Sequence, residues 1–146
     1  MIKTQNQFRK MVDLAIKINQ NARNRITLVE YKTALGKTSF AMEYATVKID
    51  LGRQLGKTTY IKDKLEHDEN SIVVLNSKAS ITNNYKSVSD KTIVINKYNC
   101  AKTIEIENLD KIKNVYIDDA SWNDTVEVVY EIFTQDDIER TFVLLG

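Results

Sequence analysis

Proline is absent from this chain, cysteine and histidine occur once each, and glycine occurs only four times. Each shortage excludes something. A lone Cys100 leaves no intramolecular disulfide framework and no cysteine-only zinc site, and a lone His67 removes a histidine-rich metal site. Such cysteine usage reads most simply as a reducing compartment, hence a cytoplasmic location. Charge of one sign is lacking too: 21 basic residues face 20 acidic ones. A net charge of +1 does not coat nucleic acid or anionic lipid by bulk electrostatics, so any nucleic-acid role has to be local. No apolar run is long enough for a signal peptide or a membrane span, and no membrane partner is expected.

What remains is an ordinary globular composition. With 42% hydrophobic and 28% charged residues, a single domain over residues 1–146 is expected. In residues 5–22, Phe8, Met11, Val12, Ala15, Ile16 and Ile18 recur at largely helical spacing. Strands are predicted at 25–30 (RITLVE), 71–75 (SIVVL), 92–96 (TIVIN), 103–107 (TIEIE), 115–118 (VYID) and 141–145 (TFVLL). Residues 38–51 fit both periods and divide into a helix up to Tyr44 and a strand over 45–50. Helices are also predicted at 58–67 and 125–133. Alternation of strands and helices predicts an α/β fold with a mainly parallel sheet flanked by helices.

Two of the four glycines, Gly52 and Gly56, lie in one segment, LGRQLGKTT (51–59). A phosphate loop needs backbone amides converging on anionic oxygens, glycine where a side chain would block them, a lysine for the outer phosphates and a hydroxyl for magnesium. Gly56, Lys57 and Thr58 supply the last three, within a loop completed by Gly52, Arg53, Gln54, Leu55 and Thr59. A helix beginning near Thr58 adds its positive end to the same anion. The match to G-x-x-x-x-G-K-[ST] is imperfect, because Leu51 stands where the first glycine belongs. A second triplet, Gly36-Lys37-Thr38, is the rival; alternatively it is a turn that opens a helix. The later copy is preferred because the strand at 71–75 follows it after a normal helix and turn.

In NVYIDDASW (114–122) an apolar strand ends abruptly in two acids. A carboxylate at the C-terminal edge of such a strand can hold a metal's water shell beside a phosphate loop, which suits Asp118. Asp119 then falls where a general base orients an attacking water. An aspartate-rich turn or helix cap is the plainer alternative for the pair taken alone.

Together, LGRQLGKTT and VYIDDA resemble the ATPase motor of the large terminase subunit of tailed phages, whose phosphate loop has an Arg-Gln pair ahead of GKT. The resemblance implies a three-layer P-loop NTPase-like fold with ATP and Mg2+ as cofactors. It also implies Lys57 and Thr58 as phosphate and magnesium contacts, Asp118 as the acid of the metal-binding strand, and Arg53 acting on the phosphates in cis. The family usually carries glutamate at the position of Asp119. A motor of this family continues into a coupling motif and a nuclease domain, whereas here residues 141–146 would be the strand that precedes the coupling motif. The expected object is therefore a minimal or truncated relative, phage-encoded and working in the host cytoplasm.

Other residues have two readings each. Arg140 either reaches a neighbouring subunit's phosphates or pairs with Asp136 or Asp137, and the pairing is preferred. Tyr116 and Trp122, flanking the acids, are expected in the core. The expected function is ATP binding and hydrolysis driving action on DNA or a protein partner, in a homo-oligomer. The alternative is a nucleotide-dependent regulatory or interaction module with little hydrolysis. A small-molecule kinase is weaker still, for want of an arginine-rich lid.

Overall fold

The computed structural model describes residues 2–25, 36–50, 56–76, 83–95, 109–118 and 123–146. Helix α1 (Ile2–Arg25) is followed by α2 (Lys37–Tyr44), β1 (Thr46–Ile49), α3 (Lys57–His67) and β2 (Ser71–Leu75). A 3₁₀ segment (Lys86–Lys91) leads into β3 (Thr92–Val94), and a second (Leu109–Lys111) into β4 (Asn114–Asp118); α4 (Asn123–Phe133) and β5 (Thr141–Leu145) complete the order. The strands form one five-stranded sheet in the order β1-β5-β4-β2-β3, with every pairing parallel.

Strand alternation builds two cores, one on each face of the sheet. Ile72, Val74, Val115, Ile117, Phe142 and Leu144 point to one face, where Ala41 of α2 and Val129, Tyr130 and Phe133 of α4 cover them. Val73, Leu75, Tyr116, Val143 and Leu145 point to the other, under Phe8 and Val12 of α1 and Tyr60, Ile61 and Leu65 of α3. Three layers result, helices on sheet on helices. Central strands β2 and β5 are buried along their whole length, as their unbroken apolar runs predict.

β1 resolves the ambiguity of residues 38–51. It pairs with β5 alone in the described sheet, with Val47 buried and Lys48 exposed, and an edge position tolerates a lysine that a central strand would not. At 25–30 the expected strand is corrected in part: Arg25 is the last residue of α1, because helical periodicity carries on from Phe8 and Val12 to buried Arg23. Residues 26–30 and the expected strand at 103–107 lie outside the described residues. Tyr116 is a core residue, edge-on to Tyr60 with ring centroids 6.3 Å apart. Among the described residues, no helix is long and apolar enough to cross a membrane.

Arg140 is a fastener. Its side chain is fully buried, Nε donates to the Ile112 carbonyl at 2.9 Å, and the terminal nitrogens reach the carbonyls of Phe133 and Leu109 at 2.8 and 2.7 Å. The same nitrogens grip both oxygens of Asp136 at 2.6 and 2.8 Å. All five guanidinium N–H groups are thus accounted for, and Arg140 is not a group that reaches a neighbouring subunit. Hydrogen bonding to Arg140 holds the Asp136 carboxyl below the usual carboxylate range. A carboxyl with a depressed folded-state pKa stabilises the fold above its unfolded pKa, and that stability is lost as pH falls through the folded value. Asp136→Asn should therefore cost about 2 kcal/mol at neutral pH, a charged bidentate bond being exchanged for a neutral one. Urea denaturation at a series of pH values should show this difference from wild type shrinking as pH drops below about 4.

Candidate functional site

The C-terminal edge of the sheet gathers four of the residues singled out in the sequence, Gly56, Lys57, Thr58 and Asp118. Gly56 has φ 81° and ψ 27°, a left-handed conformation in which any side chain is strained, and α3 starts directly after it. Its carbonyl accepts the N–H of Tyr60 at 2.8 Å, so the first turn of α3 closes on the glycine. Lys57 and Thr58 then stand at the helix N-terminus, where free amides and the helix dipole favour an anion. The Lys57 ammonium is held by the carbonyl of Gly146, just past the end of β5, whose own N–H donates to Ile49 at 2.9 Å.

Asp118 completes this group. It is the last residue of β4, in register with Leu145 of β5, and on the sheet face that α3 covers. The Thr58 hydroxyl donates to Asp118 Oδ2 at 3.0 Å. A second hydroxyl, that of fully buried Tyr85, donates to the same oxygen at 2.6 Å. Burial first, and then the Asp118 charge, push the Tyr85 phenol far above its ordinary range, so it stays a donor. Tyr85 was not a site residue in the sequence reading. Its bond to Asp118 spans 33 residues, and no spacing rule reports a contact of that kind.

Thr59 is exposed on the first turn of α3. Gly52, Arg53, Gln54, Leu55 and Asp119 lie outside the described residues.

The rival triplet sits at the other end of the sheet. Gly36 has φ 80° and α2 begins at Lys37, as a turn opening a helix requires. Lys37 pairs with Asp137 at 2.7 Å and donates to the Asp136 carbonyl at 3.3 Å, while the Thr38 and Thr134 hydroxyls are 2.9 Å apart. Residues 134–137 follow α4 and lead into the start of β5, so Lys37 and Thr38 belong to the N-terminal edge of the sheet. A polar cavity of about 330 Å3 also opens at that edge, between Gln20, Arg23, Lys113, Asn114, Glu139 and Thr141. Ligands of open parallel sheets bind outside the carboxyl ends of the strands, which is the edge of Asp118 and not of this cavity. Asp63, Glu66 and His67 form a further acidic group at the C-terminal end of α3; two of the three are exposed, and His67 Nδ1 is bonded to the Asp63 carbonyl at 2.8 Å.

No protein-family model, no curated protein and no solved structure matches the chain. The site therefore stands on its own geometry: a glycine in the left-handed region, a lysine and a threonine at a helix N-terminus, and an aspartate at a strand tip.

A β-carbon added at Gly56 would lie 3.0 Å from Gln5 Cγ, besides being strained by the positive φ. Gly56→Ala should destabilise the protein by about 1–2 kcal/mol, the usual penalty of a left-handed L-residue. Chemical denaturation measures it, and equal stability would contradict the conformation described for Gly56.

Proposed function

We propose that the chain is a small P-loop NTPase-like protein that binds ATP with Mg2+, an ATPase of the kind found in tailed-phage terminase motors. The observation that carries this reading is the bond between Thr58, at the N-terminus of α3, and Asp118, at the tip of β4. Strand order supports it: β5 lies between β1, which precedes the glycine loop, and β4, which ends in the acid. That order is compatible with the P-loop NTPase-like fold that the resemblance implies, in its additional-strand form.

The residues fit a magnesium ion by donor chemistry. A hydroxyl and a carboxylate, already within hydrogen-bond distance of each other, are the oxygen donors that a hard cation takes. Thr58 and Asp118 would hold it, and the bound ion would supply charge neutralisation at the phosphate oxygens. Lys57, held by the Gly146 carbonyl, would exchange that neutral partner for the anionic phosphate oxygens. By the terminase resemblance, the amides of the loop Gly52–Thr59 and the charge of Arg53 would serve the phosphates. Asp119 is the residue that would act as general base toward the attacking water. The hydrolysis drives action on DNA or on a protein partner, with a homo-oligomer as the working form.

A second reading, nucleotide binding without appreciable turnover, is favoured by one residue. Asp119 is a methylene shorter than the glutamate usual in terminase motors, and holds a water less well. Steady-state phosphate release separates the two: the regulatory module binds nucleotide tightly and releases almost none.

Lys57→Ala should weaken ATP binding at least tenfold and abolish any hydrolysis, measured by isothermal titration and phosphate release. Lys37→Ala should leave both at wild-type levels. The reverse pattern would overturn the assignment.

A further inference from the structure

Asp118 takes two hydroxyl donors on one oxygen, and only Thr58 belongs to the nucleotide loop. The other, Tyr85, comes from the connection between β2 and β3. Its ring is fully buried, in the core cluster that α1 and α3 cover and that also holds Leu65 and Val88. From Tyr85 the chain runs directly into the 3₁₀ segment and then β3, the edge strand of the sheet. The Val88 N–H donates to the Tyr85 carbonyl at 3.0 Å, and Lys91 reaches the carbonyls of Leu65 and Asp68 at the far end of α3. Ile95 donates back to Leu75 at 2.9 Å. Residues 85–95 thus form one packed strap, fastened to α3 by Lys91, to β2 by Ile95 and to the site by Tyr85.

The geometry points to Tyr85 as a positioning residue for Asp118, through which occupation of the site by a divalent cation is felt by the strap and by β3. This rests on the reading of Thr58 and Asp118 as the magnesium-holding pair. A hydroxyl that offers a lone pair to a cation can still donate its hydrogen to the carboxylate, but its position is then set by the cation as well as by Asp118. Tyr85 is the hydroxyl donor to Asp118 that lies outside the nucleotide loop, and any movement of the carboxylate toward the cation pulls on a buried ring that cannot swing independently of its neighbours. Tyr85 touches neither nucleotide nor cation in this account. Its contribution is the direction of the carboxylate and the link to the sheet edge.

Mn2+ binding in the presence of a non-hydrolysable ATP analogue tests this, with Tyr85→Phe and wild type compared by electron paramagnetic resonance. Tyr85→Phe should lose roughly tenfold in Mn2+ affinity, as removal of a ligand's hydrogen-bond partner commonly does, with its affinity for the analogue in EDTA unchanged. Unaltered Mn2+ affinity, with or without a lowered melting temperature, would overturn the inference. Wild-type protein supplies a second readout that needs no variant to fold. Amide hydrogen exchange over residues 83–95 should slow with analogue and Mg2+ but not with analogue and EDTA, and equal exchange in the two conditions would also overturn it. Failure of the underlying reading looks different: Asp118→Asn would then bind Mn2+ as wild type does, or wild type would bind none.

Discussion

One carboxylate oxygen, Asp118 Oδ2, joins the three parts of the molecule that meet at the C-terminal edge of the sheet. Thr58 brings the start of α3 to it, Tyr85 brings the β2–β3 connection, and β4 carries the carboxylate itself. A charge at the end of a strand whose middle three residues are buried is costly unless it is hydrogen-bonded, and hydroxyl donors to an ionised acceptor make bonds about twice as strong as neutral pairs. The acid therefore organises the edge rather than decorating it. Remove either hydroxyl, and the glycine turn, the helix start and the strap lose their common reference point.

The same constraint separates two triplets that are identical in sequence. Gly36-Lys37-Thr38 and Gly56-Lys57-Thr58 each begin with a positive-φ glycine and open a helix, although only Gly56, with ψ 27° against 158° at Gly36, is left-handed helical. Tertiary placement separates them further. Lys37 and Thr38 spend their side chains on Asp136, Asp137 and Thr134, in the turn that Arg140 also pins. Lys57 and Thr58 turn instead toward a backbone carbonyl and a strand-tip acid, at the edge where parallel sheets bind ligands. One triplet closes the bottom of the fold; the other opens its top.

Much of this was legible from residues alone, for reasons that differ from element to element. SIVVL and TFVLL are unbroken apolar runs because β2 and β5 have cores on both faces, and a run of that kind has one reading once turns bound it. Residues 45–50 mix Lys48 with Val47 and Ile49, which an edge strand permits, and their division from α2 at Tyr44 held within a residue or two. Arg25 was misassigned because RITLVE has strand composition, while α1 runs on through Arg23, whose guanidinium is buried against Thr141 and the Arg140 carbonyl. Thr58 and Asp118 are each legible as candidates from their own motifs, and the fold brings their side chains to 3.0 Å. Tyr85 is not legible, since a single long-range hydroxyl bond has no period, no motif and no charge to announce it. Arg140 was read as pairing with an acid, but its three carbonyl contacts depend on how the turns at Leu109, Ile112 and Phe133 converge, which no local pattern encodes.

The central claim is that the edge marked by Asp118, and not the edge marked by Lys37, receives the phosphates of ATP. Backbone amide chemical shifts, followed by NMR while Mg2+ and ATP are titrated into the full chain, test it most directly. The account predicts the largest shifts at Gly56, Lys57, Thr58, Asp118 and Gly146, with residues 36–38 and 134–137 unmoved. Shifts confined to residues 36–38 and 134–137, or none at saturating nucleotide, would contradict it.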